Sequence, residues 1–181
     1  MPAKYGAAVR RMINRMAYDA LTKDTTLFAS KNKNSGKGSI SITSLAAGKV
    51  TMARQTDPSG KAVINALPVY LIVPPELETT ASQLIASAVD PTKNNAVPNP
   101  FANKLTVVSD PCITDTEAWY LAAAPGVIPG IEITYLNGKD TPTMETQVDF
   151  NTLGIKHRIY MDVGVNILDF RAFYKSTGKD A

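Results

Sequence analysis

A single cysteine, a single histidine and a single tryptophan are present among 181 residues. One cysteine excludes a disulfide within the chain and any cysteine-rich zinc site, and such usage fits a reducing compartment. No apolar run reaches the roughly 18 uninterrupted residues of a membrane span, and the amino terminus lacks the basic-then-apolar order of a secretory signal. The expectation is a soluble, cytoplasmic chain. With 44% hydrophobic and 19% charged residues, it has the material for one or two modest cores without disulfides or metals.

The groups that carry chemistry are as sparse. A nucleophile with a base has to come from Cys112 and His157, which fall on different elements with no third group to orient them. This pair defines the alternative reading of a small cysteine hydrolase. Gly36-Lys37-Gly38 lacks the spacing of a phosphate-binding loop, and no GxGxxG follows a strand. The carboxylate pairs Glu76/Glu78, Asp115/Glu117 and Asp162/Asp169 sit among turns or helix starts, where solvated charge is the simpler account. No catalytic residue, cofactor site or metal site is expected.

What is present is an uneven charge. Residues 1–37 hold eight Lys/Arg against Asp19 and Asp24, a net of +6, while the whole chain nets +3, so the remainder nets −3. Val9, Met12, Ile13, Met16, Ala17, Ala20 and Leu21 form the stripe of an amphipathic helix, with Arg10, Arg11 and Arg15 off it. Without interleaved aromatics, these arginines read as a solvated or subunit-contacting face rather than a nucleic-acid groove.

Residues 31–39 have no apolar anchor and read as a solvated loop and domain boundary. Ser41 or Thr43 can cap a second helix carrying Leu45, Val50 and Met52, weakened by Gly48 and stopped by Asp57-Pro58-Ser59-Gly60. Val69–Val73 reads as a central strand, and Pro74-Pro75 both ends it and opens a third helix with Ala81, Leu84, Ile85 and Ala88 inside. After a Pro/Asn-rich loop from Asp90 to Pro100, strands are predicted at 105–109, 118–123, 131–136, 144–150, 154–163 and 166–174, the last two joined by a turn around Gly164. Lys175–Ala181 reads as a frayed tail. The fold class is α+β with two cores: helices on a middle sheet, and the first helix with the carboxy-terminal strands.

Several segments together resemble one family. Ala-Leu-Pro-Val-Tyr-Leu-Ile-Val-Pro-Pro-Glu-Leu-Glu at 66–78 is similar to a segment of the Mu-like major head (major capsid) proteins of tailed phages. Tyr5–Arg11, Met52–Gly60, Asn99–Phe101, Val107–Pro111, Ala118–Leu121 and Asp169–Lys175 continue the likeness in the family's order. The resemblance implies the tailed-phage capsid fold, with residues 1–38 and 143–181 as the peripheral domain (spine helix and long strands) and 39–142 as the axial domain. It also implies an icosahedral shell of pentamers and hexamers around double-stranded DNA. Scaffold, head-maturation protease and portal would be partners of the full-length protein, and assembly would take place in the bacterial cytoplasm. Family members carry an amino-terminal arm, an extended loop and the first half of the spine helix. None is evident here, so the chain reads as the carboxy-terminal portion. The loop that would donate a Lys–Asn cross-link is among the missing parts, and no such residues are assigned. An encapsulin-like compartment shell is the other reading that shares the fold.

Overall fold

The computed structural model describes residues 2–91, 93, 97–149, 151 and 153–179. In chain order they form α1 (Pro2–Lys23), β1 (Ser35–Gly36), α2 (Ile42–Ala53), β2 (Pro68–Val73), α3 (Pro75–Ala86), β3 (Thr106–Ser109), β4 (Trp119–Ala123), β5 (Ile131–Tyr135), β6 (Thr143–Asp149), β7 (Gly154–Tyr160), β8 (Val163–Ile167) and β9 (Phe173–Ser176). A mixed five-stranded sheet runs β1-β9-β4-β2-β3, and two antiparallel ribbons pair β5 with β8 and β6 with β7. This is an α+β fold, as the element pattern predicts. The predicted strand through residue 150 ends at Asp149 among the described residues, and Phe150 lies outside them.

Local chemistry accounts for the helix boundaries. Ser41 caps α2 in a reciprocal box with Ser44: the Ser44 amide donates to Ser41 Oγ at 3.1 Å and the Ser41 amide donates to Ser44 Oγ at 2.9 Å. Helix α2 ends at Ala53, ahead of the expected Asp57–Gly60 stop, and the Asp57 carboxylate organises the separate turn by accepting from the Lys61 amide at 3.0 Å. Pro74 is the N-cap of α3, with Glu76 and Glu78 in its first turn, where the helix dipole favours them. Gly48 has a packing reason to be glycine. A Cβ there would stand 2.8 Å from Leu121 Cδ1 and 2.9 Å from the Tyr174 ring, so its absence lets α2 lie close on the sheet.

Leu71, Val73, Trp119 and Leu121 are fully buried, and one contiguous cluster joins them to Leu21 and Leu27 from the first segment, Leu45 and Met52 of α2, and Ala81 and Leu84 of α3. Among the described residues the two expected cores therefore merge into one cluster. The correction follows from the last strand. Phe173–Ser176, assigned by the sequence to the peripheral group, lies between β1 and β4 in the central sheet, with Leu121 opposite Tyr174.

Three other expectations change. The 31–39 segment is a structural tie, since Asn32 and Asn34 are buried. Asn34 Nδ2 donates to the carbonyls of Leu27 (3.0 Å), Phe170 (3.1 Å) and Phe173 (3.2 Å), joining the exit of α1 to the entry of β9. The tail is anchored as far as it is described: Ser176 Oγ and the Trp119 indole both donate to the Gly38 carbonyl, and the Gly38 amide donates to Lys179 O. Gly164 is no turn residue. It lies within β8 opposite Thr134, the chain reverses between β7 and β8 at Met161-Asp162, and a single 3₁₀ turn at Phe170–Ala172 separates β8 from β9.

Asn34→Ala leaves three carbonyls without this donor, two of the bonds fully buried, and is expected to cost roughly 2–3 kcal/mol in urea unfolding. Gly48→Ala gains helix propensity of about 1 kcal/mol but forces a methyl against Leu121 and Tyr174, so a net loss of about 1 kcal/mol is expected in the same measurement.

Candidate subunit-contact surface

Helix α1 lies partly off the body. Leu21 near its carboxy end is buried and Tyr18 packs on the core, while Met12 is 48% exposed and Val9, Ile13 and Met16 are only half-buried. The stripe is thus covered fully at one end only, where α1 meets β5 and β8. Partway along, Asn14 Nδ2 donates to Asp110 Oδ2 at 2.8 Å and tethers the helix to the turn after β3. Burial pushes the Asp110 carboxyl up, but hydrogen bonds from Asn14 and the Cys112 amide outweigh it and hold the group below its ordinary value of 3.8. A depressed carboxylate stabilises the fold above its unfolded value, and that stabilisation is lost as pH falls through the folded one, so the tether weakens in acid. Tyr18 is pushed up to about 12 by burial, then by Asp110 and Cys112, and stays a neutral phenol.

The three arginines do not form one face. Arg11 and Arg15, four residues apart, stack on the same side of α1, and Arg10 lies about 100° around the helix from Arg11. All three are exposed. Arg15 is 3.9 Å from Asp19, which also accepts from Lys23 at 2.8 Å, and neither exposed pair contributes much stability. Arg10 and Arg11 have no ion-pair partner among the described residues.

Two features escaped the reading of the sequence. An apolar groove of about 590 Å³ runs beside α1, between Tyr18 and Leu21 on one side and Tyr70, Ile72, Ala122 and Phe173 on the other. The second is the β6–β7 ribbon, whose strands pack chiefly on each other and leave Val148 75% and Ile155 63% exposed. The sequence reading places these strands in a core with the first helix, whereas the structure leaves one of their faces open. Glu145 is engaged within this ribbon, accepting from Arg158 Nε and from the Tyr160 hydroxyl, each at 3.1 Å, while Glu132 and Asp140 are exposed.

Cys112 and His157 are not brought together as a dyad. His157 is in the middle of β7, its Nδ1 3.0 Å from Thr146 Oγ1, while Cys112 lies in the turn after β3 beside Asn14 and Asp110. Burial, then a hydrogen bond to and the charge of Asp110, push the Cys112 thiol above its ordinary value, the reverse of what activates a nucleophile. The carboxylate pairs serve local structure: Asp115 Oδ1 accepts from the amides of Glu117 and Ala118, and Asp169 caps the 3₁₀ turn and pairs with Arg171. No group of three potential metal ligands occurs among the described residues, and no helix there is long and apolar enough to cross a membrane. Iodoacetamide is expected to alkylate Cys112 more slowly than free cysteine at pH 7, as followed by mass spectrometry; faster reaction would point to an activated thiol.

Comparison with known proteins places this arrangement. No curated protein sequence matches the chain. The crystal structure of a phage-related protein from Bordetella bronchiseptica RB50 matches 98% of this chain and 64% of its own, with a TM-score of 0.59 at 15% identity, and so shares the fold. A chain of the satellite phage P4 procapsid including size determination (Sid) protein aligns over 76% of this chain and 39% of its own, at 11% identity and a TM-score of 0.39. The chain thus spans less than two thirds of the length of either. Residues 1–176 match the family model described as phage capsid protein, and the chain belongs to that family.

Proposed function

We propose that this chain is a structural subunit of a phage or prophage head of the Mu-like type, self-associating into an icosahedral shell around double-stranded DNA. The observation that carries the reading is the family match over residues 1–176, nearly the whole chain. The surface supports it. An amphipathic helix covered at one end, two arginines without an ion-pair partner among the described residues and a ribbon with exposed aliphatic side chains are what a subunit completed by its neighbours presents. No residue carries out chemistry in this reading.

The shell would be built of pentamers and hexamers through heterologous contacts, in the bacterial cytoplasm, and the chain would reside in the virion. Its packaged DNA would be held without sequence-specific contacts, and scaffold, head-maturation protease and portal would act on the full-length protein. Residues 39–142 are proposed as the axial domain. Residues 1–38 and 143–181 are proposed as the peripheral one, its last strand β9 joining the central sheet. Arg10 and Arg11, with Arg15 held by Asp19, are proposed to meet acidic surface such as Glu132 and Asp140 on a neighbour.

Peptide mass spectrometry of DNA-filled particles from an induced culture tests the reading. Peptides of this chain from Gly6 to Lys175 are expected to dominate. Their absence from abundant filled particles would overturn it, and particles enclosing protein cargo in place of DNA would favour the encapsulin-like shell. Arg10→Glu with Arg11→Glu is expected to lower particle yield at least about tenfold while leaving the melting temperature unchanged, since both side chains are solvated.

A further inference from the structure

The β6–β7 ribbon is sharply two-faced. Its register sets Met144 opposite Ile159, Thr146 opposite His157 and Val148 opposite Ile155, and strand alternation places all six on one face. The other face holds Glu145, Arg158 and Tyr160, which engage one another: Glu145 accepts from both partners, and the Arg158 guanidinium lies 5.5 Å from the Tyr160 ring centre. On the opposite face, Met144 is 44%, Val148 75% and Ile155 63% exposed, Leu153 at the tip is fully exposed, and the one polar pair, Thr146 with His157, is hydrogen-bonded within itself.

We propose that this face docks on the same face of a second copy of the chain, ribbon on ribbon. The inference rests on the reading of the chain as a self-associating subunit and names one surface by which it does so. An aliphatic face with no unpaired charge calls for another aliphatic face. A two-fold axis across the strands would set the Met144–Ile159 pair of each copy over the Val148–Ile155 pair of the other, with the two Thr146–His157 pairs at the centre. The uncovered aliphatic surface amounts to roughly 500 Å², near the upper end of patches that monomers leave open. Burial from both copies gives roughly 1,000 Å², the threshold of a specific contact. A lone two-stranded ribbon is marginal in water, and stacking turns it into a two-layered, four-stranded unit. Such a contact is weak singly and gains strength by repetition.

Sedimentation equilibrium of the 181-residue chain tests this with three proteins: the wild type, Val148→Lys with Ile155→Lys on the apolar face, and Gln147→Lys on the opposite face. The wild type and Gln147→Lys are expected to associate alike. The double variant is expected to associate at least about tenfold more weakly, about 1.4 kcal/mol, with an unchanged circular dichroism spectrum. Equal association of all three, or a wild type that stays monomeric at every concentration, would overturn the proposal. Failure of the two readings is separable. Association untouched by the double variant, with the chain's peptides dominating filled particles, removes the ribbon contact and keeps the shell subunit. Loss of association in the double variant, with particles lacking those peptides, does the reverse.

Discussion

The rest of the molecule depends on the insertion of its last strand. Phe173–Ser176 lies between β1 and β4, so without it the central sheet loses an interior member and Leu121 loses its cross-strand neighbour Tyr174. Asn34 secures the insertion with hydrogen bonds spanning 136 and 139 residues to Phe170 and Phe173, while Gly38 accepts from Trp119 and Ser176. Closure of this kind is entropically demanding, because a loop of 139 residues has to be closed to make the longest of these contacts.

Periodicity made most elements legible. The stripe from Val9 to Leu21, the run Val69–Val73 closed by two prolines, and the serine cap of α2 each rest on neighbours within a few residues. What was not legible depends on long-range pairing. Asn34 looks like a solvated loop residue until three carbonyls, two of them from the far end of the chain, converge on its amide. Lys175 and Ser176 look like tail until β1 and β4 flank them. Gly164 looks like a turn because glycine permits one, yet its place opposite Thr134 in β8 is set by the ribbon's register. At the candidate site, exposure of Arg10 and Arg11 follows from helix spacing and the Arg15–Asp19 pair from the four-residue rule, whereas the uncovered ribbon face does not. Alternation says that one face is apolar but not whether its cover comes from the same chain.

The surface has a consistent physical character. The lone thiol is pushed away from reactivity and the lone histidine is paired with a threonine, while aliphatic side chains stand in solvent on α1 and on the ribbon. Aliphatic surface left open at the exterior is free energy that association can release.

The ribbon is also unequal in its two arms. Between β5 and β6 the outgoing strand spends seven residues, 136–142, while between β7 and β8 the returning strand spends two, 161–162. The ladder is therefore interrupted once, between a proximal half resting against α1 and a distal half free of it. Across the interruption the Leu136 amide donates to the Asp162 carbonyl at 3.3 Å, so turning the distal half against the proximal one costs that bond rather than a run of the ladder.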